Sequence, residues 1–157
     1  MTPSAFDSLA ASLDPSMVIV TVPGPEGCLV GFHTHASIDP PRFLVCLSKK
    51  NRTFRAARDA SALAVHVVPE DATDLAELFG GETGDELDKF KHCDWAEGPR
   101  GLPLLGRCPD RFCGEVLERF DCGDHVAFLL KPFQAEQGDG TALPFREAME
   151  IEPGHEA

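Results

Sequence analysis

Tyrosine is absent from this 157-residue chain and tryptophan occurs once. A common phenolic acid and hydrogen-bonding stacking group is therefore missing from whatever site the chain builds. No apolar run approaches the roughly 18 residues of a membrane-spanning helix, which argues against a membrane protein. The opening MTPSAFDSLAASLDPS has neither a basic leader nor a long apolar stretch, so no secretory signal is expected and the setting is read as cytoplasmic. None of the six cysteines (Cys28, Cys46, Cys93, Cys108, Cys113, Cys122) forms a Cys-x-x-Cys pair, and their spacings match no zinc module. They are expected to be reduced structural thiols. No Gly-x-Gly-x-x-Gly follows a strand pattern, which excludes a separate dinucleotide-binding domain of that kind. Cations are scarce: 14 Lys and Arg stand against 26 Asp and Glu, a net charge of −12. Nucleic acid and anionic membrane surfaces are thereby argued against as main partners.

What is present is a globular composition, 43% hydrophobic, read as a single domain over residues 1–157 with its core at about 5–145. Residues 4–14 place Phe6, Leu9, Ala10 and Leu13 on one face of a short helix. Met17 to Val22 is a β-branched strand that is expected to form a hairpin with one strand running from Cys28 to Ser37. Phe43–Leu47 and Ala62–Val68 are further apolar strands. A helix is expected from Thr53, as a possible cap, to Ala60 with its arginines outward, and another from Asp71 to Phe79, closed by Gly80-Gly81. Asp85 to Phe90 reads as a helical turn and Trp95 to Gly106 as irregular. Arg111–Phe120 and Val126–Gln134 read as a hairpin around Cys122-Gly123-Asp124-His125. A turn at Asp139-Gly140 and a short strand from Ala142 to Phe145 complete the pattern. Mostly β structure with a few short helices and hairpin links points to a closed or nearly closed antiparallel barrel.

The densest information lies between Gly27 and Thr53. The strand crowded with small and hydrogen-bonding residues, Cys28 to Ser37, stops at Ile38-Asp39-Pro40-Pro41. An apolar strand then leads to the turn Ser48-Lys49-Lys50-Asn51-Arg52-Thr53. Lys49, Lys50, Arg52, Arg55 and Arg58 form a cationic island in an acidic chain, suited to an anion such as phosphate, or simply a solvated face. His33 and His35 are two apart, so on a strand they share a face. They admit three readings: a metal site with His125 and Asp124, donors to a bound ligand, or rings satisfied in the sheet wall. Gly123-Asp124-His125 is either a site in which Asp124 orients His125 or a plain β-turn.

The segment Ser37-Ile38-Asp39-Pro40-Pro41, the strand Phe43–Leu47 with Ser48 and Thr53 behind it, and the unit ALAVHVV followed by DLAELFGG resemble the flavin reductase-like family. So do Lys89-Phe90, Gly101-Leu102-Pro103-Leu104-Leu105, Cys113 and Gly123-Asp124-His125, in that order. The resemblance implies an antiparallel FMN-binding split β-barrel and an NAD(P)H-dependent flavin reductase. Such a protein works alone or as the reductase component of a two-component monooxygenase. It further implies FMN as flavin, with FAD or a deazaflavin as alternatives, NADH or NADPH as co-substrate, and a homodimer. The flavin would lie along Gly31, Phe32, His33, Thr34, His35, Ala36 and Ser37. Its phosphate would meet Ser48, Lys49, Lys50, Asn51 and Thr53, and His125 would stand where the nicotinamide arrives. A flavin-binding protein without reductase activity and a His-ligated metal-binding barrel are the competing readings. The chain departs from the family pattern at Leu29, Gly31 and Phe32, where Thr, Asn and Ser are frequent. It also departs at His35, where Ser is frequent, and at Phe145-Arg146.

Overall fold

The computed structural model describes residues 4–13, 15–81, 88–138, 142–148 and 151. In chain order its strands are β1 (Val18–Val22), β2 (Glu26–Val30), β3 (His33–Ser37), β4 (Arg42–Ser48), β5 (Ala62–Val67), β6 (Trp95–Glu97), β7 (Pro103–Leu105), β8 (Arg111–Asp121) and β9 (His125–Glu136). The helices are α1 (Ala5–Ser12), α2 (Arg52–Ala57), α3 (Thr73–Gly81) and α4 (Phe145–Ala148). Seven strands form one antiparallel sheet in the order β2-β1-β5-β8-β9-β4-β3, and β6 with β7 makes a separate ribbon.

The run Val-Ile-Val-Thr-Val in β1 is buried throughout because both faces of that strand are covered. Val18, Val20 and Val22 join Cys28, Val30, Val45, Leu47, Leu63, Val65, Val126, Phe128 and Leu130 in the inner core. Ile19 points the other way, into a second cluster with Val68, Leu75, Ala76, Phe79 and Phe90. Val30 and Val45 come from opposite halves of the strand order yet share one core, so the sheet is rolled on itself. Among the described residues no ladder joins β2 to β3, and the expected barrel has an open seam.

That seam corrects the expected strand from Cys28 to Ser37. β2 pairs with β1, setting Cys28 opposite Val20, whereas β3 pairs with β4, setting His33 opposite Val45. The chain changes partners at Gly31-Phe32 because each half belongs to a different edge of the rolled sheet. The segment Trp95 to Gly106 is likewise more regular than its Gly and Pro content suggests: Trp95 pairs with Leu105 and Glu97 with Pro103 around a tight turn at Pro99–Gly101. In place of a strand from Ala142 to Phe145 there are single bridges, Pro69 to Ala142 and Ser16 to Pro144, followed by α4. Gly80 and Gly81 fall inside α3 instead of closing it. The expected turn before Phe90 is a single helical turn, Lys89–Lys91, with 85–87 outside the described residues, as is the turn expected at Asp139-Gly140.

The helix ends follow their capping chemistry. Ser4 and Asp7 form a reciprocal capping box at the start of α1. The apolar residues of that helix, Phe6, Leu9 and Leu13, are exposed. α2 is capped by Asn51, not by Thr53: the Asn51 side chain accepts from the Thr53 N–H at 3.0 Å. Arg119 donates to the Ala57 and Ala60 carbonyls at 3.0 and 2.6 Å, closing the other end. His66 ties β5 to β1 and to β7 of the separate ribbon, its Nδ1–H donating to Ile19 O and its Nε2 accepting from Leu105 N–H, both at 3.1 Å. Burial lowers the His66 pKa from 6.5 to about 4. No helix among the described residues is long and apolar enough to cross a membrane.

Candidate functional site

β4 and β9 bring two distant turns together. Ser48, the last residue of β4, lies opposite His125, the first of β9. The Lys49 N–H donates to the Asp124 carbonyl at 2.9 Å. Val45 and Leu47 point into the core, so strand alternation turns Cys46 and Ser48 outward, together with Ala127 and His125 opposite them. Phe32 belongs to the same outer face: its carbonyl accepts from the Cys46 N–H at 2.9 Å. Its ring centroid lies 4.9 Å from that of His125, tilted by 49°.

The cationic turn is held from below. Lys49 Nζ donates to Asp121 at 2.9 Å, and this bond holds the Asp121 carboxyl below the usual carboxylate range. The other Asp121 oxygen accepts from the Gly123 N–H at 3.0 Å, in a turn where Gly123 has φ +131°, a conformation that favours glycine. Asp121 is a residue the sequence reading missed; the Asp-x-Gly spacing before a strand was the available signal. Lys50 is exposed, and its N–H donates to Ser48 Oγ at 3.3 Å. That bond leaves the Ser48 hydroxyl hydrogen, the Asn51 amide hydrogens and both ammonium groups as donors.

Asp124 accepts a 2.7 Å hydrogen bond from His125 Nδ1. The contact keeps the Asp124 carboxyl low, and it requires a proton on Nδ1, because a carboxylate oxygen only accepts. β3 forms the border of this surface. It ends the strand order, so among the described residues its outer edge offers backbone N–H and C=O groups that no neighbouring strand takes up. Thr34 and Ala36 on it are exposed, and Gly31 lies half-buried at its start.

Three predicted residues point elsewhere. His33 and His35 do share a face, but it is the one opposite Val45 and Phe43, not the face of Phe32 and His125. The His33 ring stacks on Phe43 with centroids 5.6 Å apart, and its Nε2 donates to the Ser16 carbonyl. His35 Nε2 donates to the Ser37 carbonyl at 2.9 Å. The proposed trio of His33, His35 and His125 is thus not assembled, and among the described residues no group of three or more His, Cys, Asp or Glu is placed to hold a metal ion. Thr53 is buried at 1% exposure, with its side chain close to the Cys28 thiol.

An open strand edge, a tilted pair of rings and a cluster of hydroxyl, amide and ammonium donors lie side by side. The flavin reductase like domain family matches residues 10–148. The chain belongs to that family. Curated relatives include the stachydrine N-demethylase reductase subunit Stc3 of Rhizobium meliloti, 28% identical over 131 residues that cover 81% of this chain and 56% of that protein. The 4-hydroxyphenylacetate 3-monooxygenase reductase component of Pseudomonas aeruginosa is 29% identical, covering 87% and 84%. The FMN reductase (NADH) SmoA of Agrobacterium fabrum is 29% identical, covering 83% and 73%. The chain spans only about half the length of the first of these relatives. Among solved structures, the NADH:FAD oxidoreductase SgcE6 of Streptomyces globisporus superposes with a TM-score of 0.79 at 23% identity, over 92% of this chain and 90% of that one. The mostly antiparallel architecture expected from the sequence is therefore that of flavin reductase-like proteins.

Proposed function

We propose that this domain is an NAD(P)H-dependent flavin reductase that uses FMN and works with NADH or NADPH as hydride donor. One observation carries the reading: the free edge of β3, the Ser48–Asn51 turn and the Asp124–His125 pair converge on one outer face. When bound, FMN supplies the acceptor for a hydride from the nicotinamide. Lys49, Lys50, Ser48 and Asn51 hold the phosphate, with Asp121 keeping Lys49 over the turn. Backbone groups from Gly31 to Ser37 meet the hydrogen-bonding rim of the ring system and stabilise the charge that develops there. His125, oriented by Asp124, presents Nε2 to the incoming nicotinamide and fixes its approach.

Relatives named as monooxygenase and demethylase reductase components support service to a separate oxygenase. The exposed apolar residues of α1 support a homodimer. The free thiols fit a reducing, cytoplasmic setting. Stopped-flow mixing of the FMN-loaded protein with NADH, and separately with NADPH, tests the activity. Bleaching of the flavin's visible absorbance by at least one of them is expected, and no bleaching by either overturns the reading.

A further inference from the structure

Phe32 is the least expected residue on the outer face. It lies outside the inner core: the residue is 53% exposed, and its one described ring partner is His125. Its backbone is fixed by the Cys46 N–H at 2.9 Å, at the point where the chain leaves β2 and enters the free-edged β3. A large apolar ring held out in water costs free energy unless something covers it. Within the same surface lie the phosphate donors of the Ser48–Asn51 turn and the imidazole that Asp124 orients. The occupant that suits this combination is flat, largely apolar and anionic at one end.

Resting on the flavin reading above, we propose that the Phe32 ring is a shelf on which the isoalloxazine stacks, with the His125 ring tilted by 49° at its border, making Phe32 a determinant of how tightly this protein keeps its flavin. A small hydroxyl side chain at this position would contact a ring system with few atoms. A phenyl face adds dispersion and quadrupole contact over a broad area and excludes water from one side of the ligand. The effect of such a shelf falls on retention: dissociation of FMN slows, while the phosphate turn and the β3 edge go on setting its orientation. The domain is then built to hold FMN through successive turnovers.

The chain's composition supplies an optical test. It has no tyrosine and one tryptophan, and that residue, Trp95, packs against Phe90 on the β6–β7 ribbon. Phenylalanine is a poor electron donor to an excited flavin, so FMN stacked on Phe32 stays fluorescent. An indole in the same place donates readily and darkens it. FMN binding to wild-type protein, Phe32→Ala, Phe32→Leu and Phe32→Trp is followed by equilibrium dialysis together with flavin emission, and folding is checked by circular dichroism. The expected result is about a five- to tenfold weaker Kd for Phe32→Ala. Phe32→Leu is expected to fall between Phe32→Ala and wild type, and Phe32→Trp to bind at least as tightly as wild type while quenching the bound flavin. Equal affinities for wild type and Phe32→Ala, with bright flavin on Phe32→Trp, overturn the shelf and leave the reductase reading standing. Failure of the wild-type protein to bind FMN overturns both.

Discussion

At the scale of single residues, hydroxyl and ammonium groups of like appearance in the sequence separate into different roles. Lys50 is exposed on the turn and Thr53 is buried beneath it, close to the Cys28 thiol. Lys50→Ala is therefore expected to weaken FMN binding by about 1 kcal/mol, roughly fivefold. Thr53→Val should leave the FMN Kd within about twofold of wild type while lowering thermal stability. Isothermal titration of both variants checks the pair. The thiols separate in the same way. Burial pushes Cys28 up to about 11 and Cys108 up to about 12, and Cys46, Cys93 and Cys113 are raised by burial as well. Cys122 is exposed. Brief treatment of the native protein with iodoacetamide near neutral pH should give one fast adduct, located at Cys122 by peptide mass mapping.

At the scale of elements, the turn from Ser48 to Asn51 and helix α2 form a single unit. Asn51 closes the turn through its N–H to the Ser48 carbonyl at 3.0 Å and caps the helix through its side chain. Asn51→Ala removes the cap and frees the turn, so a loss of about 1 kcal/mol in stability is expected, together with weaker FMN binding. Denaturant melts in the presence and absence of FMN separate the two effects, and Asn51→Asp should recover the stability but not the affinity, because it restores the cap and adds a negative charge beside the phosphate. The sequence shows this element well, since Ser, Lys and Asn before an arginine-rich helix announce a polar turn with a cap. What it does not show is which residue caps. Asn51 and Thr53 both qualify by type, and only the packing of Thr53 against Cys28 separates them.

At the scale of the whole molecule, His66 is the buried polar pin that ties β5 to β1 and β7. Its pKa is 6.5 when exposed and about 4 in the fold. Above pH 6.5 both folded and unfolded chains carry it neutral, and its bonds contribute in full. As pH falls below 6.5 the unfolded chain takes up the proton and the folded one does not, so stability declines until the folded residue titrates near 4. The full loss is on the order of 3 kcal/mol. Urea melts at intervals across that range should show the decline, and His66→Gln should flatten the part of it that exceeds the carboxylate background. The exposed apolar side of α1 is the second molecular-scale feature. A homodimer is expected to sediment at twice the mass of the chain, and a monomer at all concentrations would leave the proposed dimer without support.

Local chemistry by itself determined much of this protein. The β-branched run of β1, the hairpin around Gly123-Asp124-His125 and the polar turn after Leu47 are readable because period, turn residues and burial all act within a few positions. The family pattern adds their order along the chain. Tertiary structure alone decided which faces meet. His33 and His35 look like site residues in a list of letters, yet pairing with β4 turns them toward Phe43 and Val45 and leaves Phe32 and His125 on the outer face. Alternation in a strand fixes which residues share a side but not which side is the core. That choice is made where the chain changes partners at Gly31-Phe32, by contacts with strands far away in sequence.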